Sequence, residues 1–300
     1  MSEVLNLDTA FQKVGEFGRM QVLLTFVTAV FRNTGNYMYY TFAYLVLEQK
    51  FLCRDPNGWG EPEFESCPVS DICEARDDPD SELQFKVDTS YEYYFENWYT
   101  EMDLMCVPAA EISLIVTAYY VCFALGGVFC MAPEQIGRKK SVMISAAVSL
   151  VAQTLILLSN SMFVRTICFG LMGLATLKNS VSYVWLTECV PESRKPAAFC
   201  FVSVFDAVPM AVFCFYISYI DKSWQSINLI MVALGYIALL LAFVCPESPR
   251  WHLVNGRTKE AIDILNYISE FNKKTERIPE NARFIEGMIQ NQGTRENSMV

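Results

Sequence analysis

Four ionisable residues stand inside long apolar stretches of the sequence: Arg32, Arg165, Lys178 and Asp206. A charged side chain at membrane depth costs at least ~2.5–3.5 kcal/mol, so each of them needs an opposite charge or a water-filled cavity. Side chains of these types form ion pairs and bind charged ligands, and neither process makes or breaks a covalent bond. The chemistry that the sequence offers first is therefore charge recognition inside a membrane.

Residue sets for bond-making chemistry are missing from the sequence. His252 is the only histidine, and it has no Ser/Asp cluster around it. There is no Gly-rich phosphate loop, no metal-ligand spacing and no basic stripe of the kind that binds nucleic acid. We therefore expect no enzymatic activity, no cofactor, no metal and no nucleic-acid partner.

The apolar stretches that hold these charges have the length of membrane-spanning helices. The chain has 300 residues, of which 53% are hydrophobic, and this fraction is high for a soluble domain. A transmembrane helix needs ~20 mostly apolar residues. The stretches that meet this requirement are 20–47, 110–132, 141–159, 162–187, 197–220 and 227–245. We predict an all-α protein with six transmembrane helices in a lipid bilayer.

Basic residues predict the orientation of these helices. The loop at 133–140 is basic and short, and such loops face the cytosol. Alternation along the chain then places both termini in the cytosol and the segment 48–109 outside. The predicted divisions are a cytosolic N-terminus at 1–19, helix 1 at 20–47, the external segment at 48–109, helices 2–6 at 110–245 and a cytosolic helical segment with a polar tail at 246–300. The plasma membrane is the expected location.

The predicted external segment 48–109 is acidic and carries cysteines. It holds 16 Asp/Glu against 4 Lys/Arg and so accounts for the net charge of −10. An even number of cysteines in an external polar segment favours disulfides. The four candidates are Cys53, Cys67, Cys73 and Cys106. The pattern predicts up to two disulfides, with three connectivities open.

Two charges of neighbouring spans have matching positions along the membrane normal. Lys178 lies nine residues before the cytosolic end of the fourth span and Asp206 nine residues after the cytosolic start of the fifth, so both lie ~13 Å from that surface. We predict an ion pair between them, which is either structural or part of a cavity that binds substrate charge. Arg165 lies near the outer end of its span, where its side chain is expected to snorkel towards the surface.

The loop between the second and third spans resembles the signature of the major facilitator superfamily, G-x-x-x-D-R-x-G-R-K/R-K/R. The matching positions are Gly137, Arg138, Lys139 and Lys140. Glu134 stands where Asp is usual, so it can supply the carboxylate. Cys130 and Gln135 replace the usual Gly and Arg, and the lost Arg puts the normal gating role of this loop in doubt.

Further segments resemble the organic cation, organic anion and carnitine transporters of this superfamily. The matching segments are Val14–Arg19, Glu101–Cys106, Arg165 with Gly170, Trp185–Glu188 with Arg194, and Pro246–Trp251 with the Gly-Arg and Glu-Ala pairs that follow it. P-E-S-P-R-W alone also occurs in sugar transporters, whereas the E-x-D-L-x-C element narrows the match. The resemblance extends over residues 11–275, and it implies the N-terminal six-span half of a twelve-span fold.

The resemblance also implies roles for individual residues. Substrate is held between the two halves of such a transporter, and span one lines that cavity, so Arg32 and its neighbours either face substrate or pack against another span. The substrate-cavity candidates are Arg32, Asn36, Tyr37, Tyr40, Lys178 and Asp206. The candidates for gating and conformational coupling are Glu134, Gly137, Arg138, Lys139, Arg165, Glu188, Arg194, Glu247 and Arg250.

The implied function is transport of small organic ions by alternating access. The substrate class comprises organic cations, carnitine-like zwitterions and organic anions. Two alternatives stay open. The chain is either a truncated half-transporter without activity of its own, which associates with other transporter chains, or a half that forms a homodimer to rebuild twelve spans.

Overall fold

The computed structural model describes residues 4–54, 63–128 and 132–285, which form a helical bundle with a small folded unit at each end. The helices are α1 (Leu7–Val14), α2 (Arg19–Leu45), α3 (Val69–Asp77), α4 (Trp98–Glu101), α5 (Ala109–Gly126), α6 (Ala132–Ile136), α7 (Arg138–Leu158), α8 (Met162–Leu174), α9 (Leu177–Glu188), α10 (Lys195–Tyr219), α11 (Trp224–Val244), α12 (Pro249–Val254) and α13 (Thr258–Phe271). The strands are β1 (Val4–Leu5), β2 (Phe51–Arg54), β3 (Glu65–Cys67), β4 (Gln84–Val87) and β5 (Arg283–Phe284).

Four helices of the described ranges are long and apolar enough to cross a membrane: α5, α7, α10 and α11. Helix α2 counts as a fifth together with α1, from which it is bent by 110°. The predicted span 162–187 is interrupted at Ala175 and Thr176, which leaves α8 with 13 residues and α9 with 12. The structure therefore has four or five candidate spans where the sequence predicted six.

Helix α2 lies inside the bundle, where it contacts α9, α10 and α11, while α7 contacts α8, α9 and α11. The closest pair is α5 with α8, because a Cβ at Gly173 would lie only 2.1 Å from the carbonyl oxygen of Tyr119. Small residues allow the backbones of membrane helices to approach in this way. Large buried rings, including Phe31, Trp98 and Trp185, fill the core of the bundle.

The segment between α2 and α5, residues 46–108, is called the disulfide domain below. Its strands β3, β2 and β4 form an antiparallel sheet with β2 in the centre. Cys53 pairs with Cys67, and Cys73 pairs with Cys106, at Cα–Cα distances of 5.7 and 5.6 Å. Two disulfides are thus confirmed and their connectivity is decided. The all-α prediction missed the sheet, because its three- and four-residue strands are too short to give a periodic pattern.

The residues at the other end of the bundle, 4–17 and 249–285, are called the terminal domain. Helix α1 packs on α13, and β1 pairs in parallel with β5. Ile278 and Phe284 are each only 2% exposed in the shared apolar core. Residues 275–285 are thus anchored to this core, and the tail beyond them lies outside the described residues.

Candidate functional site

Arg32, Asn36, Asn179 and Asp206, called the polar cluster below, meet between α2, α9 and α10. Arg32 Nε donates a hydrogen bond to Asp206 Oδ2 at 2.9 Å. Asn36 Nδ2 donates to Asp206 Oδ1 at 3.4 Å, and Asn179 Nδ2 donates to Asn36 Oδ1 at 2.8 Å. One carboxylate thus accepts from two side chains of α2, and α9 is joined to them through an amide.

Local sequence explains why these side chains meet. Arg32, Asn36, Tyr40 and Tyr44 follow one another at intervals of four residues along α2, and this spacing keeps them on one side of the helix. Asn179 lies in the first turn of α9, just after the break between α8 and α9. The break directs the start of α9 towards α2, so the polar cluster depends on an interruption that the apolar pattern did not predict.

The polar cluster is partly exposed. The side chain of Arg32 is 32% exposed and that of Asp206 is 22% exposed. Asn179 is nearly buried, and its Oδ1 has no hydrogen-bond partner among the described residues. The cluster therefore presents a cation and an anion at its partly exposed side, while the unpaired amide oxygen of Asn179 is buried.

The structure places the other predicted cavity residues differently. Tyr40 is 47% exposed on the same side of α2 as the polar cluster. Tyr37 is buried and packs edge-on against Phe213, with 5.9 Å between ring centroids. The side chain of Lys178 lies outside the described residues, so its ion pair with Asp206 stays a prediction. The observed partner of this carboxylate on α2, Arg32, was not predicted.

A tyrosine cluster that the sequence analysis missed lies one turn beyond Asn36. Tyr39 of α2 stacks on Tyr119 of α5 with 4.9 Å between ring centroids, and its hydroxyl group hydrogen bonds to that of Tyr120. The Tyr119 hydroxyl group lies 3.2 Å from the side-chain oxygen of Thr176 at the α8–α9 break. The sequence did contain a hint of this cluster, since each of the first two predicted spans has two tyrosines in a row. A pair of tyrosines in an apolar helix does not show, however, which other helix it will contact.

Predicted gating residues form a charge network beside the terminal domain. Arg138, at the start of α7, bridges Glu134 of α6 at 2.8 Å and Glu188 at the end of α9 at 3.3 Å. The two contacts to Glu188 are made by Nε and a terminal nitrogen, in the forked arrangement typical of Arg and carboxylate. Glu134 thus offers Arg138 a carboxylate from the position where the signature usually has Asp.

Glu247 ties the same loop to the end of α11. Its carboxylate accepts from the backbone N–H of Lys139 at 2.9 Å, and the Lys139 ammonium donates to the carbonyl oxygen of Phe243 at 2.9 Å. Gly137 has a φ of +103°, and a Cβ there would lie 2.4 Å from a Glu247 oxygen. Glycine is therefore required at this position both by its backbone conformation and by the close approach of the carboxylate.

Two predicted gating residues lie apart from this network. Arg194 bridges Glu16 of the N-terminal segment at 3.2 Å. Arg250 is exposed at the start of α12 and lines a shallow pocket near Glu188. The structure therefore joins Glu134, Gly137, Arg138, Lys139, Glu188 and Glu247 in one place, and leaves Arg194 and Arg250 at its margin.

Arg165 lies at the opposite end of the bundle, beneath the disulfide domain. Its side chain is 0% exposed, so the prediction that it snorkels to the surface is wrong. It donates to Glu101 at 2.7 Å, and its guanidinium lies 4.5 and 5.1 Å from the ring centroids of Trp98 and Trp224. The Trp224 indole also donates to Glu101 at 2.7 Å. Arg165 therefore joins α8, α11 and the disulfide domain.

Among the described residues, no group of three or more His, Cys, Asp or Glu side chains could hold a metal ion. The constellations that the structure does contain are ion pairs and amide contacts within and at the ends of membrane-length helices. Such an arrangement can bind a charged solute and couple helix movements.

A family model described as "Major Facilitator Superfamily" matches residues 25–278. The chain belongs to this superfamily. The matched range includes the polar cluster and the whole charge network. Arg138 and Glu134 lie in the loop that resembles the superfamily signature, and Glu188 contacts Arg138 from the end of α9.

Curated relatives of this major facilitator chain are organic cation and carnitine transporters. An "Organic cation transporter-like protein" of Drosophila melanogaster is 25% identical over 296 residues, covering 90% of this chain and 52% of the relative. "Organic cation/carnitine transporter 2" of Rattus norvegicus is 26% identical, covering 58% of this chain and 31% of the relative. "Solute carrier family 22 member 15" of Xenopus tropicalis is 28% identical, covering 60% and 34%.

The chain thus spans at most about half the length of these relatives. Among solved structures, the proton:xylose symporter XylE bound to 6-bromo-6-deoxy-D-glucose is 14% identical, with a TM-score of 0.47, and the match covers 95% of this chain and 52% of that structure.

Proposed function

We propose that this major facilitator chain takes part in transmembrane transport of small organic ions by alternating access, and that the polar cluster binds the ion. The substrates that fit are organic cations, carnitine-like zwitterions and organic anions. Support comes from the superfamily match, from the organic cation and carnitine transporters among the relatives and from the chemistry of the polar cluster.

The partial exposure of the Arg32–Asp206 pair is the observation that carries this proposal. Both side chains are exposed by more than a fifth of their surface, although both lie in long apolar helices. Charged groups in such helices are too costly to face lipid, so they face a protein interior or a water-filled cavity. The open side of the polar cluster is therefore the cavity side, and a second helical half would close it.

Opposite charges in the polar cluster accommodate more than one substrate class. A cation would bind Asp206 in exchange for Arg32, an anion would bind Arg32 in exchange for Asp206, and a zwitterion would bind both. Tyr40 extends the polar cluster with an exposed ring, and aromatic faces attract organic cations.

The proposal includes a membrane arrangement. Six spans are formed by α2, α5, α7, α8 together with α9, α10 and α11. The disulfide domain lies outside the cell, while the terminal domain and both termini lie in the cytosol of a plasma-membrane protein. The disulfides support this orientation, because they persist in oxidising compartments. The short basic loop at 133–140 supports it as well, because positively charged loops favour the cytosolic side.

The charge network has a gating role in this proposal. It holds α7 against α9 through Arg138 and Glu188, and against α11 through Lys139 and Glu247. These contacts keep the cytosolic ends of the helices together as a rigid unit. Alternating access then moves that unit against the second half.

A second candidate function is a non-transporting half that associates with other transporter chains. The observation that favours association is the exposure of α5 and α10. Only 17% of the candidate span in each of these helices is buried inside the structure. Blue-native electrophoresis separates the candidates. A chain that rebuilds a transporter as a homodimer migrates as a defined species of twice the mass, whereas a half that needs another transporter chain migrates alone.

Uptake into proteoliposomes by the purified chain tests the proposal. The panel contains tetraethylammonium, carnitine and benzoate. We expect saturable uptake by the parent chain. Asp206→Asn should abolish uptake of tetraethylammonium, and Arg32→Gln should abolish uptake of benzoate. Asp103→Asn neutralises a charge outside the membrane helices and serves as the control. Absence of uptake by monodisperse, reconstituted protein would refute transport by this chain alone. Equal uptake by all variants would refute the role of the polar cluster.

A further inference from the structure

A cavity of about 470 Å³ lies between the disulfide domain and the ends of α2 and α10. It is called the aromatic vestibule below, and the residues that matter for its chemistry are Tyr44, Glu92, Tyr93, Phe213, Tyr219 and Lys222. Its volume is within the ~300–1,000 Å³ typical of small-molecule sites. None of these residues belongs to the polar cluster or to the charge network.

The walls of the aromatic vestibule are fixed to each other. The backbone N–H of Glu96 donates to the carbonyl oxygen of Lys222 at 2.7 Å, which joins the disulfide domain to the loop after α10. The Asn97 amide donates to the carbonyl oxygens of Leu47 at 2.8 Å and Tyr44 at 3.2 Å, which joins the same segment to the end of α2. The aromatic vestibule is therefore a built cavity between clamped elements.

The rings around this cavity are uncovered. Tyr44 is 39% exposed, Tyr93 is 64% exposed and Tyr219 is 78% exposed. Tyr44 packs edge-on against Phe213 with 5.7 Å between centroids, so one face of Tyr44 is supported while its surface towards the cavity stays open. Exposed rings that converge from three elements provide the faces to which an organic cation binds.

The electrostatic environment of the cavity favours cations. Glu92 lines it directly, and the segment 48–109 carries 16 acidic against 4 basic residues. Lys222 is the one basic residue among the described lining residues. The lining itself is balanced between Glu92 and Lys222, so the preference for cations comes from the acidic segment around the cavity.

A line of side chains connects the cavity with the membrane interior. Tyr44, Tyr40, Asn36 and Arg32 share one side of α2, and the twelve residues from one end of this line to the other correspond to ~18 Å. The aromatic vestibule thus lies at the mouth of the surface that leads to the polar cluster.

We propose that the aromatic vestibule is a separate binding site for bulky organic monocations, such as quaternary ammonium ions. Tyr93 and Tyr219 hold the cation against their ring faces and Glu92 supplies the counter-charge. Its role as a capture site ahead of the polar cluster rests on the proposed function, whereas the binding itself does not.

Calorimetric titration of the full chain in nanodiscs tests this site with benzyltrimethylammonium as the probe. We expect the double variant Tyr93→Ala/Tyr219→Ala to bind about five- to thirtyfold more weakly, since each ring face contributes about two- to fivefold at an exposed position. The double variant with Phe at both positions keeps the rings and should bind as the parent chain does. Glu92→Gln should weaken binding by about two- to fivefold, as expected for an exposed charge.

Matched variants separate this site from the proposed transport site. Phe243→Ala removes a ring that is 65% exposed at the other end of the bundle, and it should leave binding unchanged. Asp206→Asn disables the polar cluster and should also leave vestibule binding unchanged. Benzenesulfonate, an anion of similar size, should bind the parent chain and the Ala double variant equally, because it does not use the aromatic vestibule.

Each contrary result overturns the inference in a recognisable way. Loss of probe binding in Asp206→Asn together with normal binding in the Ala double variant would place the cation at the polar cluster and refute the vestibule site. Equal affinities of the Ala and Phe double variants for the probe would refute the role of the ring faces. Absence of probe binding to the parent chain would refute the vestibule site, whereas the anion-binding role of the polar cluster is tested separately by benzoate uptake in proteoliposomes.

Discussion

Removal of the Glu101 carboxylate charge should strongly destabilise the end of the bundle beneath the disulfide domain. Arg165 is 0% exposed, and Glu101, its ion-pair partner at 2.7 Å, is 17% exposed. Glu101→Gln keeps the size and one acceptor oxygen but leaves the guanidinium buried without a counter-charge. Removing one partner of a buried ion pair costs ~3–5 kcal/mol, so we expect Glu101→Gln to lower the free energy of unfolding by about that amount.

A double-mutant cycle separates the ion pair from other effects. Arg165→Met should cost less than Glu101→Gln, because the orphaned Glu101 is partly exposed and keeps its hydrogen bond from the Trp224 indole. The double variant contains no buried charge, so its cost should be smaller than the sum of the two single costs by up to ~3 kcal/mol. Asp103→Asn is the control, since Asp103 pairs with Arg76 on the surface and such pairs contribute ~1 kcal/mol or less.

Unfolding of the purified chain by SDS in mixed micelles, followed by tryptophan fluorescence, measures these costs. Two of the five tryptophans, Trp98 and Trp224, flank Arg165 and report directly on this region. A cost for Glu101→Gln no larger than that for Asp103→Asn would show that the guanidinium does not depend on this carboxylate. Strictly additive costs in the cycle would refute the ion pair as the source of stability.

Three further predictions follow from single contacts. Gly173→Ala should lower the free energy of unfolding by ~1–3 kcal/mol in the same SDS assay, because its Cβ would lie 2.1 Å from a backbone oxygen of α5 and overpack the contact. The control is Gly127→Ala, whose Cβ would meet nothing within 4 Å, and it should be neutral. Burial lowers the pKa of His252 below its usual 6.5, so NMR titration of this histidine should show a midpoint below 6.5. The free energy of unfolding should therefore fall as the pH drops below 6.5 in the parent chain but not in His252→Gln. A midpoint at or above 6.5 would contradict this. Replacing Cys73 and Cys106 by Ser opens a loop with a sequence separation of 33 and should destabilise the disulfide domain by ~3–4 kcal/mol; calorimetry that shows no shift would contradict this.

Several features of this protein were determined by local sequence. The length of an apolar stretch and the cost of a charge are properties of consecutive residues, so the positions of the bundle helices, the basic loop and the cysteine-bearing acidic segment could be predicted. The signature around Gly137 and Arg138 pointed to residues that the structure brings together, because short motifs specify the local turn that places their residues side by side. The interruption at Ala175 and Thr176 was missed, since both residues are compatible with a continuous apolar helix.

The choice of partners was decided only by tertiary packing. A rise of 1.5 Å per residue gives the depth of a side chain in the membrane but not its direction around the helix. Depth alone therefore predicted Lys178 beside Asp206, while the packing of α2 against α10 placed Arg32 at 2.9 Å from that carboxylate. Arg165 was likewise expected near the surface, but the fold of the disulfide domain over it buries its side chain against Glu101. Which cysteines pair is also decided by that fold, because spacing along the chain does not fix which of them meet in space.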